Sequence, residues 1–106
     1  MNLYLDSTNN QKTILRLDDK EFTQEVSSPR EQNILGFIQK TLSDIGKTPK
    51  DITSIEVNPG PGSFTGTRVG VAIANALGFS LGLSVNRQKE PVEVVYSIPP
   101  NITIPK

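Results

Sequence analysis

Pro59-Gly60-Pro61-Gly62-Ser63-Phe64-Thr65-Gly66-Thr67-Arg68-Val69-Gly70 is the stretch from which the rest of this chain is best read. It opens as a stiff turn in which two prolines alternate with two permissive glycines. It continues into a helix predicted from about Phe64 to Leu81, with Ser63 or Thr65 as its N-cap. Inside that helix Gly66, Gly70, Ala74 and Gly78 recur every four residues. Each helical glycine costs about 0.8–1 kcal/mol relative to alanine. Small residues at this spacing make a flat stripe along which another backbone can approach closely. The stripe admits two readings: packing within the domain, or contact with a second protein. Val69, Val71, Ala72, Ile73, Ala76, Leu77 and Phe79 make the rest of the helix apolar, which predicts burial on more than one side.

Upstream, three short alternating runs are joined by polar turns. Leu3 and Leu5 alternate in Asn2 to Asp6. Thr13, Leu15 and Leu17 share a face, and Phe22, Gln24 and Val26 continue as a third strand. Asn9-Asn10 and Asp18-Asp19-Lys20 supply the turns, so an antiparallel meander is predicted. Ser28-Pro29-Arg30-Glu31 fits a capping box for a helix over Pro29–Ile45, with Ile34, Leu35, Ile38, Leu42 and Ile45 at helical spacing. Gly46 is its expected stop and Pro49 prevents continuation. Phe37 lies off that stripe and is expected on an outward face. Asp51 to Asn58 reads as a strand ended by Pro59, Leu83 to Asn86 as a further strand, and Pro91 to Tyr96 as another candidate. The order βββαβαβ predicts an α/β domain: a mixed five-stranded sheet with two main helices and a ribonuclease-H-like topology.

Composition narrows the chemistry. The 106 residues suffice for one domain, and eleven basic against eleven acidic residues leave no net charge. A free-standing nucleic-acid binder usually carries a basic excess. Cysteine and histidine are both absent, which excludes a zinc site of the usual kind and any Ser-His or Cys-His nucleophile pair. No apolar run approaches the roughly 20 residues that span a bilayer, and the N-terminus lacks a charged start before an apolar stretch. No membrane contact is therefore expected. Apolar residues make up 35% of the chain, a lean core for which an association partner would compensate.

The glycine turn also resembles, in outline, a loop that cradles phosphate on backbone N–H groups. Gly60, Gly62 and Ser63 would supply it, with Asp6 and Ser7 after the first strand. It is neither a Walker A loop nor a dinucleotide fingerprint, and its prolines remove two donors. The alternative is a rigid turn that sets the direction of the second helix.

Residues Pro59 to Gly70, followed by a small-residue helix and Leu77-Gly78, look like the GPGSFTGLRIG signature of the TsaB (YeaZ) family. Leu5-Asp6-Ser7-Thr8 resembles that family's opening IDTST, and Leu42-Ser43-Asp44-Ile45-Gly46 with Asp51-Ile52 resembles its stretch around LDDID. The resemblance implies an actin/Hsp70/sugar-kinase-type (ASKHA) fold. Residues 1–88 would be its N-terminal lobe and 89–106 a proline-rich C-terminal extension. It further implies a non-catalytic, cytoplasmic protein that supports synthesis of N6-threonylcarbamoyladenosine at position 37 of tRNA. Such proteins pair with a Gcp-like catalytic subunit, TsaD, joined by a small ATPase, TsaE. ATP and Mg would be used by that wider complex and no cofactor bound by this chain alone. Contact with tRNA would be indirect, and a homodimer is expected in isolation. The implied interface comprises Phe64, Gly66, Arg68, Gly70, Val71, Ala74 and Gly78, with Phe37 from the first helix. Two departures stand out: Thr67 where leucine is usual, and Leu83-Ser84-Val85-Asn86-Arg87-Gln88 in place of a GVSSL-like run. Two alternatives remain open: a self-associating relic domain, and a nucleotide or phosphate-ester hydrolase using Asp6 and the glycine loop.

Overall fold

A computed structural model describes residues 1–28 and 31–95. Strands β1 (Asn2–Asn9), β2 (Lys12–Leu17) and β3 (Lys20–Glu25) form the expected meander. Helix α1 (Ile34–Asp44), strand β4 (Ser54–Val57) and helix α2 (Phe64–Leu81) follow. The sheet order is β3-β2-β1-β4, antiparallel within the meander and parallel between β1 and β4. Register aligns Leu3 with Leu17 and Ile55, and Leu5 with Leu15 and Val57. One face of the sheet is therefore a block of aliphatic side chains, the consequence of a period of two in every strand. Ile34, Ile38 and Leu42 of α1 and Val71 and Ala74 of α2 close over that block. On the other face the Arg16 guanidinium lies 5.0 Å from the Tyr4 ring centroid and pairs with Glu21 at 3.1 Å. That face carries no helix among the described residues.

The structure corrects three expectations. Helix α1 begins at Ile34, five residues after Pro29, and Pro29 itself lies outside the described residues. Its N-cap is Asn33, whose Oδ1 accepts from the Gly36 N–H at 2.9 Å. Glu31 accepts from the Ser27 N–H and hydroxyl, and its own N–H donates to the Ser28 carbonyl at 2.9 Å. Gln32 donates through Nε2 to the Asn9 carbonyl and to Thr13 Oγ1. The two Gln32 bonds tie the approach to α1 to the meander, and an α-helical turn running on through Gln32 would have to break them. The expected stop holds: Gly46 adopts φ +71°, and the Lys47 N–H returns to the Leu42 carbonyl.

Strand β4 is shorter than Asp51 to Asn58. Pro49–Asp51 forms a 3₁₀ turn, with the Asp51 carboxylate accepting from the Thr48 N–H at 2.8 Å.

The fifth strand does not form among the described residues; the sheet has four. Leu83 to Asn86 contributes one parallel bridge, Val85 to Ile55. The next rung is made by a side chain instead. Asn86 accepts from the Val57 N–H at 2.8 Å and donates to the Val57 carbonyl at 3.0 Å. Asn86 and Arg87 then take φ of +55° and +61°, which turns the chain away from the sheet. Pro91 to Val95 is not a strand either, and Tyr96 lies outside the described residues. The segment runs back along α2 as a strap: Asn75 bonds the Val92 backbone, and the Val95 N–H donates to the Pro59 carbonyl.

Candidate functional site

Helix α2 starts and stops as its sequence predicts. Ser63 is the N-cap, its Oγ accepting from the Gly66 N–H at 3.3 Å, and Gly82 closes the helix at φ +70°. The stripe of small residues, however, points inward. A Cβ on Gly66 would stand 2.7 Å from the Ser7 carbonyl oxygen, and one on Gly70 would overlap Ser7 Oγ. A Cβ on Gly78 would lie 2.6 Å from Val85 Cγ2, and Ala74 is fully buried. Gly66, Gly70, Ala74 and Gly78 thus receive β1 and the Val85 bridge of their own domain. Val71, expected to flank an outer surface, is part of the core. The physical cause is Ser7: its hydroxyl donates to the Gly66 carbonyl at 2.7 Å and draws helix and strand within backbone distance. Thr67 is also buried, and its hydroxyl has no partner among the described residues.

Of the expected interface, Phe64 and Arg68 do face outward. Phe64 is 59% exposed, and the Arg68 guanidinium lies 4.9 Å from its ring centroid. Val69, 42% exposed, and Phe79, 92% exposed, also lie on the side of α2 away from the sheet. These two were missed as site residues. The available signal was their position on the helical wheel, opposite the small stripe, where large apolar side chains have no sheet to cover them. Phe37 is half-buried and packs against the core, lining a groove beside β3 with Phe22 and Lys40. The exposed apolar residue of α1 is Leu35.

The expected phosphate-contact residues gather at the C-terminal ends of β1 and β4, but their polar groups are engaged with one another. The Asp6 carboxylate accepts from the Thr8 N–H (3.0 Å), the Thr8 hydroxyl (2.6 Å) and Asn58 Nδ2 (3.2 Å). Asn58, which sequence reasoning missed, also accepts from the Gly60 N–H at 3.0 Å. The Ser63 N–H donates to the Thr8 carbonyl at 2.6 Å, and Ser7 is fully buried. Gly62 sits so close that an added Cβ would lie 2.5 Å from Thr8 Cβ. The loop is a braced turn that seats the start of α2 on the end of β1. Among the described residues no group of three His, Cys, Asp or Glu is placed to hold a metal.

Partial burial pushes the Asp6 carboxyl up, and the Thr8 and Asn58 donors outweigh it, so the net displacement is downward. A carboxyl with a depressed folded pKa stabilises above its unfolded value, and that contribution is lost as pH falls through the folded one. Asp6→Asn is therefore expected to lower the urea midpoint at pH 7 and to flatten its decline toward pH 3. An unchanged acid limb would show that Asp6 is not a source of the acid sensitivity.

Residues 23–86 match the family model described as "TsaD: tRNA N6-adenosine threonylcarbamoyltransferase". The chain belongs to this family, on its TsaB (YeaZ) side. It is 30% identical over 90 residues to the tRNA threonylcarbamoyladenosine biosynthesis protein TsaB of Bacillus subtilis, covering 70% of this chain and 39% of that protein. It is 45% identical over 51 residues to TsaB of Escherichia coli, covering 46% of this chain and 22% of that protein. Among solved structures, YeaZ from Pseudomonas aeruginosa superposes with a TM-score of 0.65 at 25% identity, over 79% of this chain and 41% of that one. A second solved chain, described as having similarity to the peptidase YeaZ, gives the same score and identity. The chain thus spans about two fifths or less of the length of these relatives. The family shown is the one that the Pro59–Gly70 signature resembles. Among the described residues no helix is long and apolar enough to cross a membrane.

Proposed function

We infer that this chain is a TsaB-like accessory domain supporting N6-threonylcarbamoyladenosine formation in tRNA, and that it does so by pairing rather than by catalysis. The observation that carries this reading is the outer face of α2, where Phe64, Val69 and Phe79 stand exposed while the small stripe seats the helix on its own sheet. Exposed aromatic and aliphatic side chains spread along one helix favour protein association. The partner is a TsaD-like catalytic subunit, with a TsaE-like ATPase joining the complex, where ATP and Mg are used. Arg68 stands on this face and suits a carboxylate of the partner. Tight engagement of Asp6, Ser7 and Ser63 within the fold favours the accessory role over the hydrolase reading. Zero net charge favours indirect contact with tRNA, and a cytoplasmic location goes with that substrate.

Light scattering of this chain titrated with the TsaD-like subunit of the same organism tests the proposal. A one-to-one complex is expected. No complex at the highest soluble concentration would remove the pairing role and leave the family assignment standing.

A further inference from the structure

The strap occupies its groove the way a bound peptide would. The Asn75 carboxamide, halfway along α2, pairs with both backbone groups of Val92. Its Nδ2 donates to the Val92 carbonyl at 3.0 Å, and its Oδ1 accepts from the Val92 N–H at 2.9 Å. Two such bonds satisfy one residue of an extended strand without regard to its side chain. Selection comes from burial: the Val92 side chain is 6% exposed. Val94 follows two residues on and lines an open groove of about 480 Å3 with Thr65, Arg68, Val69 and Ala72 of α2. The Val95 N–H, bonded to the Pro59 carbonyl at 2.7 Å, fixes the far end. Nothing in this seat depends on the strap belonging to the same chain.

The connection to the strap is strained. Val85 is still bridged to Ile55, and Asn86 still pairs with Val57. Immediately afterwards two consecutive non-glycine residues, Asn86 and Arg87, adopt left-handed φ values. Asparagine tolerates this conformation, but arginine pays for its Cβ, at about 1–2 kcal/mol. The ion pair holding Arg87 to Glu56 is long, 3.8 Å, and exposed. A short hinge under strain, followed by a segment whose Val92 and Val95 contacts are transferable, is the arrangement that favours exchange of that segment between copies.

We propose that the strap is exchangeable: in a dimer of this chain, Arg87 straightens and Pro91–Val95 of each copy fills the Asn75 groove of the other. The groove shares Arg68 and Val69 with the pairing face of α2, so strap exchange is read at Asn75 and Val92, which the pairing proposal does not use. Straightening the hinge over Arg87 to Glu90 gives a reach of roughly 13 Å, enough to carry the strap off its own helix.

The chain has no cysteine, so introduced pairs report cleanly. Two full-length variants, Ala72→Cys and Val94→Cys, are mixed, passed through mild denaturant together, returned to buffer and oxidised. Ala72 and Val94 line the same groove. The expected result is a disulfide-linked species containing one of each chain, together with a doubling of the solution mass of the unmodified protein. Arg87→Gly, which removes the left-handed penalty from the closed form, is expected to move the monomer–dimer midpoint upward by about tenfold. A monomeric mass at every concentration overturns the proposal. So does a dimer that forms no mixed disulfide while a third variant, carrying both substitutions, closes its disulfide only within one chain, which would place self-association on the outer face of α2.

Discussion

Gly70→Leu is expected to leave the chain unfolded at room temperature. A Cβ at this position already overlaps Ser7 Oγ, and a leucine adds three further carbons in the same direction. Overpacking of a close-packed site costs about 1–3 kcal/mol and occasionally more. Here it also displaces Ser7, whose hydroxyl bonds the Gly66 carbonyl in a fully buried position. Losing that bond without replacement costs about 1–3 kcal/mol more. A small domain has roughly 5 kcal/mol to lose, so the two effects together consume most or all of it. Circular dichroism and urea titration give the readout. Ala72→Leu, on the exposed side of the same helix, is the control and should remain folded. A folded, stable Gly70→Leu variant would show that the stripe does not pack on β1. The inward orientation also changes what such a variant measures. Were the stripe an outer interface, Gly70→Leu would block pairing and spare the fold. With the stripe seated on the sheet, lost pairing would follow from lost structure and say nothing about a partner.

Val69→Asp addresses the pairing surface directly. Val69 is 42% exposed on the outer face of α2, so the substitution leaves the core intact and changes stability little. At an interface it would bury an unpaired carboxylate next to apolar side chains. A hot-spot position near the centre of an interface contributes about 2 kcal/mol or more, or roughly thirtyfold in Kd. Affinity for the TsaD-like subunit is expected to fall by that factor or more, with an unchanged urea midpoint. Phe64→Ala, beside Arg68, should weaken pairing in the same direction. Undiminished affinity in both variants would move the interface off this face of α2.

How much of this was legible depended on how local the cause was. The meander could be read because Leu3, Leu5, Leu15 and Leu17 alternate and polar turns separate the runs. The start of α2 could be read because Ser63, one of two candidate caps, is a local signal. The start of α1 could not, because two caps competed. Ser28 with Glu31 fitted the sequence rule, but Gln32 found its partners on Asn9 and Thr13, about twenty residues away in sequence. The fifth strand failed for a comparable reason: Asn86 satisfies Val57 with its side chain, which no propensity scale anticipates.

The order of the elements, the presence of a close approach along α2 and the family signature all follow from the order of residues, since each rests on periodicity, caps or the absence of a side chain. Which surface makes the close approach was decided only by the packed fold. A glycine records that something comes near its Cα but carries no atom that says what. The small stripe met Ser7 and Val85 of its own domain, and that contact turned Phe64, Val69 and Phe79 to the outside. The exposed face of α2 is the complement of its buried one, and burial depends on partners distant in the chain, so it became readable only when the sheet was in place.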